Sequence, residues 1–255
     1  MRLADMTSSA FHARAPQRCA IIPVGAVEPH GPHLPLGADT IISDYFARRL
    51  AVDIDAWISP TIGYGVATPP QRLGGDFPGV IAITGSTFTR LVTDVLRSLT
   101  EHGVRHHVLL NSAIDNISFL CEAARHINVM FPDTRIMVLN WWDVVGEPFR
   151  DTLARETGVA RSDDHHAGMV ESSLVMHIAP DTTRPELIAP DQPGPGPRRL
   201  RYHVFPLPQD AATPSGIVYT ARKASAEIGG RVADQVAREL AAAVRLEFDI
   251  DAPRP

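Results

Sequence analysis

Short apolar runs alternate with segments of helical spacing along nearly all 255 residues of the chain. The runs are CAIIPV at 19–24, AWISPTI at 56–62, VIAIT at 80–84, HHVLLN at 106–111 and RIMVLNWW at 135–142. A run that is apolar throughout, rather than at every second residue, suits a strand covered on both faces. Ile42, Phe46 and Leu50 lie at helical spacing after the first run. After VIAIT come Phe88, Leu91, Val92, Val95 and Leu99, with Ser86 as the expected cap and Gly103 as the stop. Further helices are expected after HHVLLN, from about Glu147 to Gly158, from near His166 to His177, and from about Ala221 to Phe248, the last bent or interrupted at Gly229 and Gly230. Helices on both sides of a sheet satisfy this alternation. The expected fold is therefore α/β: three α/β/α layers around a mainly parallel sheet, in one domain spanning 1–255. Residues 179–214 read as an irregular proline-rich excursion with an edge strand such as RYHVF at 201–205, and IDAPRP at 250–255 as a frayed end.

Charge and cysteine content narrow the function. Net charge is −5 and charged residues make up 21%, which gives no electrostatic reason to expect nucleic acid or a membrane as partner. Cys19 and Cys121 form no Cys-x-x-Cys pair and read as buried thiols of a reducing compartment. The first residues, MRLADMTSSAF, lack the apolar stretch of a secretion signal, and no run approaches the roughly 20 apolar residues of a membrane span. A cytoplasmic soluble protein is the expectation.

In open parallel sheets ligands bind at the carboxyl ends of strands. Just past the first run, Glu28, His30, His33 and Asp39 fall within one loop stiffened by Pro29, Pro32 and Pro35. Carboxylate and imidazole donors together suit zinc, manganese or iron(II). A polar surface loop with chance histidines is the other reading of these residues. A second cluster is DDHHAGMVESS at 163–173. His166 and Glu171 are five apart and diverge on a regular helix, but converge if the helix starts just after His166. The alternative is simple capping, with Asp163 and Asp164 beside a helix N-terminus.

PVGAVEPHGPHLPLGAD, residues 23–39, resembles the creatininase signature P-x-G-x-x-E-x-H-G-x-H-L-P-x-x-x-D at every fixed position. FPG at 77–79 and HAGMVESS at 166–173 resemble two further segments of that family, the latter with Ser172 in place of Thr. The resemblance implies a two-metal centre bridged by Asp39, with Glu28 on one metal and His30 on the other. It implies that His166 transfers protons, that Glu171 is a carboxylate near the metals, and that Trp142 or Trp141 covers the substrate. Further ligands would come from a segment like N-G-H-x-E-N, which here reads Asn111-Ser112-Ala113-Ile114-Asp115-Asn116. Ala113 stands where the family has histidine, and Asp115 stands at the acidic position. The metal partnered by Glu28 thus loses an imidazole, while the one partnered by His30 keeps Asp39 and Asp115. One or two divalent ions (Zn, Mn or Fe) per chain follow, with His33, His107, His165 or water as substitutes. The implied activity is hydrolysis of a C–N bond in a small cyclic amide, lactam or formamide by metal-activated water. The alternatives are a non-hydrolytic reaction on an altered metal site, or a non-catalytic relative. A homo-oligomer, a hexamer by resemblance, is expected.

Overall fold

A computed structural model of the chain describes residues 1–14, 18–66, 77–188, 204 and 219–250. Four strands, β1 (Ala20–Val24), β2 (Trp57–Ile58), β3 (His106–Asn111) and β4 (Arg135–Asn140), form one parallel sheet in the order β2-β1-β3-β4. Every residue of β1 is buried, as its unbroken apolar run demands.

Successive strand residues face opposite layers. Ile21, Val108 and Leu110 point to one side, where they pack with α2 (Ala38–Asp53), α6 (Met169–Ile178) and α7 (Ala226–Phe248). Ile22, Val24 and Leu109 point to the other, against α3 (Gly85–Glu101) and α4 (Ile117–Met130). Helices thus cover both faces, and the expected three-layer α/β/α arrangement holds. Burial of each large side chain such as Ile22 or Leu110 contributes about 1.5–3 kcal/mol. Phe11 of α1 (Ser8–Arg14) packs against the α3 and α4 side and Leu153 of α5 (Glu147–Thr157) joins the other core, and α5 ends on Gly158 in the left-handed conformation at φ 72°.

Helix α7 lies directly on α6. A Cβ at Gly229 would stand 1.9 Å from the Ser173 carbonyl oxygen, so only glycine permits this approach. Gly229 and Gly230 therefore do not interrupt α7, which runs unbroken from its Ser225 cap. It begins at Ala226, later than the expected Ala221, because Tyr219–Lys223 forms a 3-10 turn.

Several other expectations are corrected. VIAIT is not a strand of the sheet: Ile81 and Ala82 make only isolated bridges, to Val27 and Gly65, and Ile81 is half-exposed. Thr84, not Ser86, caps α3, accepting from the Thr87 N–H at 3.2 Å. Cys121 is exposed, because it follows Leu120 on α4 and is rotated off that helix's buried face; Cys19 is buried. The expected RYHVF strand lies outside the described residues. No helix among the described residues is long and apolar enough to cross a membrane.

Candidate metal centre

The cluster is assembled from the end of β1, the start of α2 and the start of α6. Beyond Val24, Gly25 donates its N–H to Ile62 O at 2.9 Å, and a Cβ on it would lie 2.6 Å from the Thr40 hydroxyl oxygen. The loop from 28 to 36 is closed by Glu28 N–H on Leu36 O at 3.0 Å. Inside it Gly31 takes φ 71°, and His30 turns inward with its side chain fully buried. Asp39 occupies the first turn of α2, where the helix N-terminus favours a negative charge.

The third element depends on a strained turn. Ala167 adopts φ 51°, unusual for a residue with a Cβ. Its N–H donates to Glu171 Oε2 at 2.7 Å, and its carbonyl accepts from the Ser172 hydroxyl at 3.2 Å. Asp164 accepts the Met169 and Val170 N–H groups at 2.6 and 3.2 Å, so the capping reading is right for Asp164. The helix starts at Met169, after the turn rather than at His166, and this brings His166 and Glu171 into one cluster.

Two donor groups converge. His30 Nε2 lies 3.5 Å from Asp39 Oδ1 and 3.5 Å from Glu171 Oε2. His166 Nδ1 lies 3.6 Å from Glu28 Oε1, and Glu28, His30 and His166 form the second group. In each group the donor atoms all lie within 4.8 Å of one another. These separations are too long for hydrogen bonds. Two ligands about 2.1 Å from a shared ion at the tetrahedral angle are about 3.4 Å apart, which matches them. His30 Nε2 and both Asp39 carboxylate oxygens are buried without a hydrogen-bond partner, a costly arrangement unless a cation satisfies them. The residues therefore fit a divalent metal.

Electrostatics point the same way. Burial, then the neighbouring Asp39 charge, pushes the Glu28 carboxyl up to about 8. Burial also raises Asp39 against the opposing pull of His30. Burial acts to raise Glu171 too, but His30 outweighs it and holds that carboxyl at about 2. His30 is raised well above its usual value: burial opposes its charge, but Glu171 and Asp39 prevail. Glu28 and Asp39 thus resist ionising in these surroundings, a cost that a cation among them relieves.

The remaining sequence candidates fall elsewhere. Asp115 sits half-buried on the one-turn helix Ile114–Asn116 and is not a member of either donor group. Trp141 is a core residue, 5% exposed and stacked on Phe46 with ring centroids 6.1 Å apart. Trp142 is half-buried and packs edge-on against Trp141 at 5.8 Å. His33 Nε2 pairs with the Ser172 hydroxyl at 2.8 Å, His107 Nε2 with the Thr100 hydroxyl at 3.0 Å, and His165 is exposed.

The residue-level reading missed the support beneath the loop. Asn116 donates to Gly25 O at 3.0 Å and accepts from Val66 N–H at 2.9 Å. Asn111 donates to Ala113 O and to Asn140 Oδ1, both at 2.8 Å. These buried amides tie the ends of β1, β3 and β4 together under the cluster. Only the position of asparagines at strand ends hinted at them.

A family described as creatinine amidohydrolase matches residues 4–244. The chain is 32% identical over 253 residues to the creatinine amidohydrolase of Pseudomonas putida, covering 96% of each. It is 28% identical over 185 residues to the mycofactocin precursor peptide peptidase of Mycolicibacterium smegmatis, covering 70% of this chain and 64% of that one. A solved creatininase with manganese superposes with a TM-score of 0.88 at 28% identity, covering 97% of this chain and 98% of the other, and a Zn–Zn form with 0.87.

Proposed function

The chain belongs to the creatininase family, and we propose that it hydrolyses a C–N bond of a small cyclic amide, lactam or formamide with divalent metal at the cluster of Glu28, His30, Asp39 and Glu171. The observation that carries this reading is the position of His30 Nε2, 3.5 Å from a carboxylate oxygen of both Asp39 and Glu171, with the Asp39 oxygens otherwise unpartnered. Relatives named as an amidohydrolase and a peptidase support C–N hydrolysis as the reaction class.

A divalent ion in such a site supplies a Lewis acid for the carbonyl and lowers the pKa of a coordinated water towards about 7. The chain's own residues provide the frame. Glu171 is oriented by the Ala167 N–H, and His30 by its Nδ1 contact with Glu28 O at 3.2 Å. Backbone contacts of this kind fix the direction of each side chain before the ion arrives. The buried surroundings of His30 and Asp39 exclude bulk water and strengthen each charge interaction. Trp142, half-buried beside the core, is the aromatic candidate for a flat substrate; Trp141 is committed to packing. A homo-oligomer, hexameric by family resemblance, completes the reading and is checked by sedimentation.

The test is the mass of the product. Chelated and metal-reloaded protein is offered creatinine, simple lactams and N-formyl amines. Hydrolysis gives a product one water heavier, lost on chelation and restored by manganese or zinc. A product isomeric with its substrate would favour the altered-reaction alternative, for which Ala113 is the specific observation. Turnover indifferent to chelation would remove the metal from the reading.

A further inference from the structure

Ala113 leaves the segment 111–116 without an imidazole. Building on the proposed metal centre, we infer that His166 supplies its second imidazole and holds an ion together with Glu28.

The hydrogen bonding of His166 carries the inference. Its Nε2 lies 2.7 Å from Pro29 O. A carbonyl only accepts, so Nε2 carries a proton and, in the neutral ring, Nδ1 bears the lone pair. That lone pair faces Glu28 Oε1 at 3.6 Å, and the His166 side chain is only 9% exposed. Two electron-pair donors set opposite each other at this separation, with the far ring nitrogen pinned by a backbone carbonyl, have the layout of a metal-ligand pair. Pro29 lies between Glu28 and His30, so one backbone carbonyl ties His166 to the loop carrying two other donors.

Other histidines do not compete. His33 Nε2 is engaged by Ser172, and His107 Nε2 by Thr100; neither belongs to a converging donor group. His165 is exposed. The turn at Ala167 gives independent support. Its φ of 51° costs energy, and its N–H and C=O are held by Glu171 and Ser172. That strain sets His166 and Glu171 to face the same cluster from one short segment, His166 towards Glu28 and Glu171 towards His30. The chain thereby restores a pair of imidazoles without using residue 113. It also gives His166 a different part from the proton-transfer role implied by resemblance, because neither ring nitrogen is free to exchange a proton with substrate.

Zinc stoichiometry and affinity test this on the metal-stripped full chain, by equilibrium dialysis against a competing chelator. The parent is expected to take up two ions per chain. His166→Gln and Glu28→Gln should each lose the same one, with affinity roughly 100-fold or more weaker, and the double variant should lose no more than either single. His30→Ala, by contrast, should remove the ion shared with Asp39 and Glu171. If His166→Gln keeps two ions at parental affinity, the inference is overturned and the metal-centre reading stands. A parent with one ion, kept by His166→Gln and lost by His30→Ala, overturns the inference in the same way. A parent that binds no zinc overturns both. Nitrogen-15 histidine spectra of the parent guard against a misfolded variant. They should show His166 as the Nε2–H tautomer, with its Nδ1 resonance shifting on zinc addition; an unshifted Nδ1 in zinc-saturated protein counts against ligation.

Discussion

Replacing Asn116 by aspartate asks whether the buried amides really hold the loop that carries Glu28 and His30. The change is isosteric and keeps the oxygen that accepts Val66 N–H at 2.9 Å. It turns the amino group, which donates to Gly25 O at 3.0 Å and Asn111 Oδ1 at 3.4 Å, into a second acceptor. Ionised, the new carboxylate presses a charge against two oxygens at a fully buried position. Protonated, its O–H donates to Gly25 O. Its folded pKa is therefore raised above the unfolded value near 3.9. Above about pH 4 the unfolded chain has released this proton and the folded chain keeps it, so stability falls as pH rises. The slope is at most about 1.4 kcal/mol per pH unit, or about 4 kcal/mol between pH 5 and pH 8 if the folded form stays protonated throughout. Asn116→Ala is the control. It orphans Val66 N–H and Gly25 O at about 1–3 kcal/mol each, with no added pH dependence. Urea unfolding of chelated protein at the two pH values, each variant referred to the parent, reads both effects. An aspartate variant as stable as the parent at pH 8 would refute the bracing role of Asn116.

Two further substitutions probe elements on either side of the site. His107, held at about 4 chiefly by burial, charges in the unfolded chain below about 6.5 while staying neutral when folded, so it withdraws stability as pH falls. His107→Gln should flatten the loss between pH 7 and pH 5 by about 2 kcal/mol; an unchanged acid limb in denaturant titrations would contradict this. Gly229→Ala sets a Cβ 1.9 Å from Ser173 O, so α7 must lift from α6 at a cost of about 1–3 kcal/mol or more, with zinc affinity falling as Glu171 shifts. Gly230→Ala, whose nearest neighbour is His177 Cε1 at 3.2 Å, should cost less, and equal effects at the two positions would argue against the close crossing.

The sheet was legible from its apolar runs. CAIIPV and HHVLLN became the strands β1 and β3 almost residue for residue, and RIMVLNWW became β4 without its two tryptophans, half-buried over much of its length. VIAIT has the same composition but, among the described residues, makes only isolated bridges, and composition cannot reveal which partners a run will find. AWISPTI shrank to two residues at the sheet edge. At the site, Glu28, His30 and Asp39 were readable because a stiff loop and one helical turn bring them together locally. His33 has a ligand's composition but pairs with Ser172, 139 residues away, which no local pattern encodes. Resemblance implies Asp115 as a ligand beside His30; the folded chain brings Glu171 to 3.5 Å from His30, through the strained turn at Ala167. The left-handed residue of that turn is Ala167 and not the adjacent Gly168, so the direction of His166 could be known only from tertiary structure.

The most direct test is diffraction from crystals grown with manganese or zinc, with anomalous difference maps recorded at the metal's absorption edge. A peak is expected within bonding distance, about 2.0–2.2 Å, of His30 Nε2, an Asp39 oxygen and Glu171 Oε2. No anomalous density there in metal-saturated crystals, or density only at surface carboxylates, would contradict the assignment of this cluster as the metal centre.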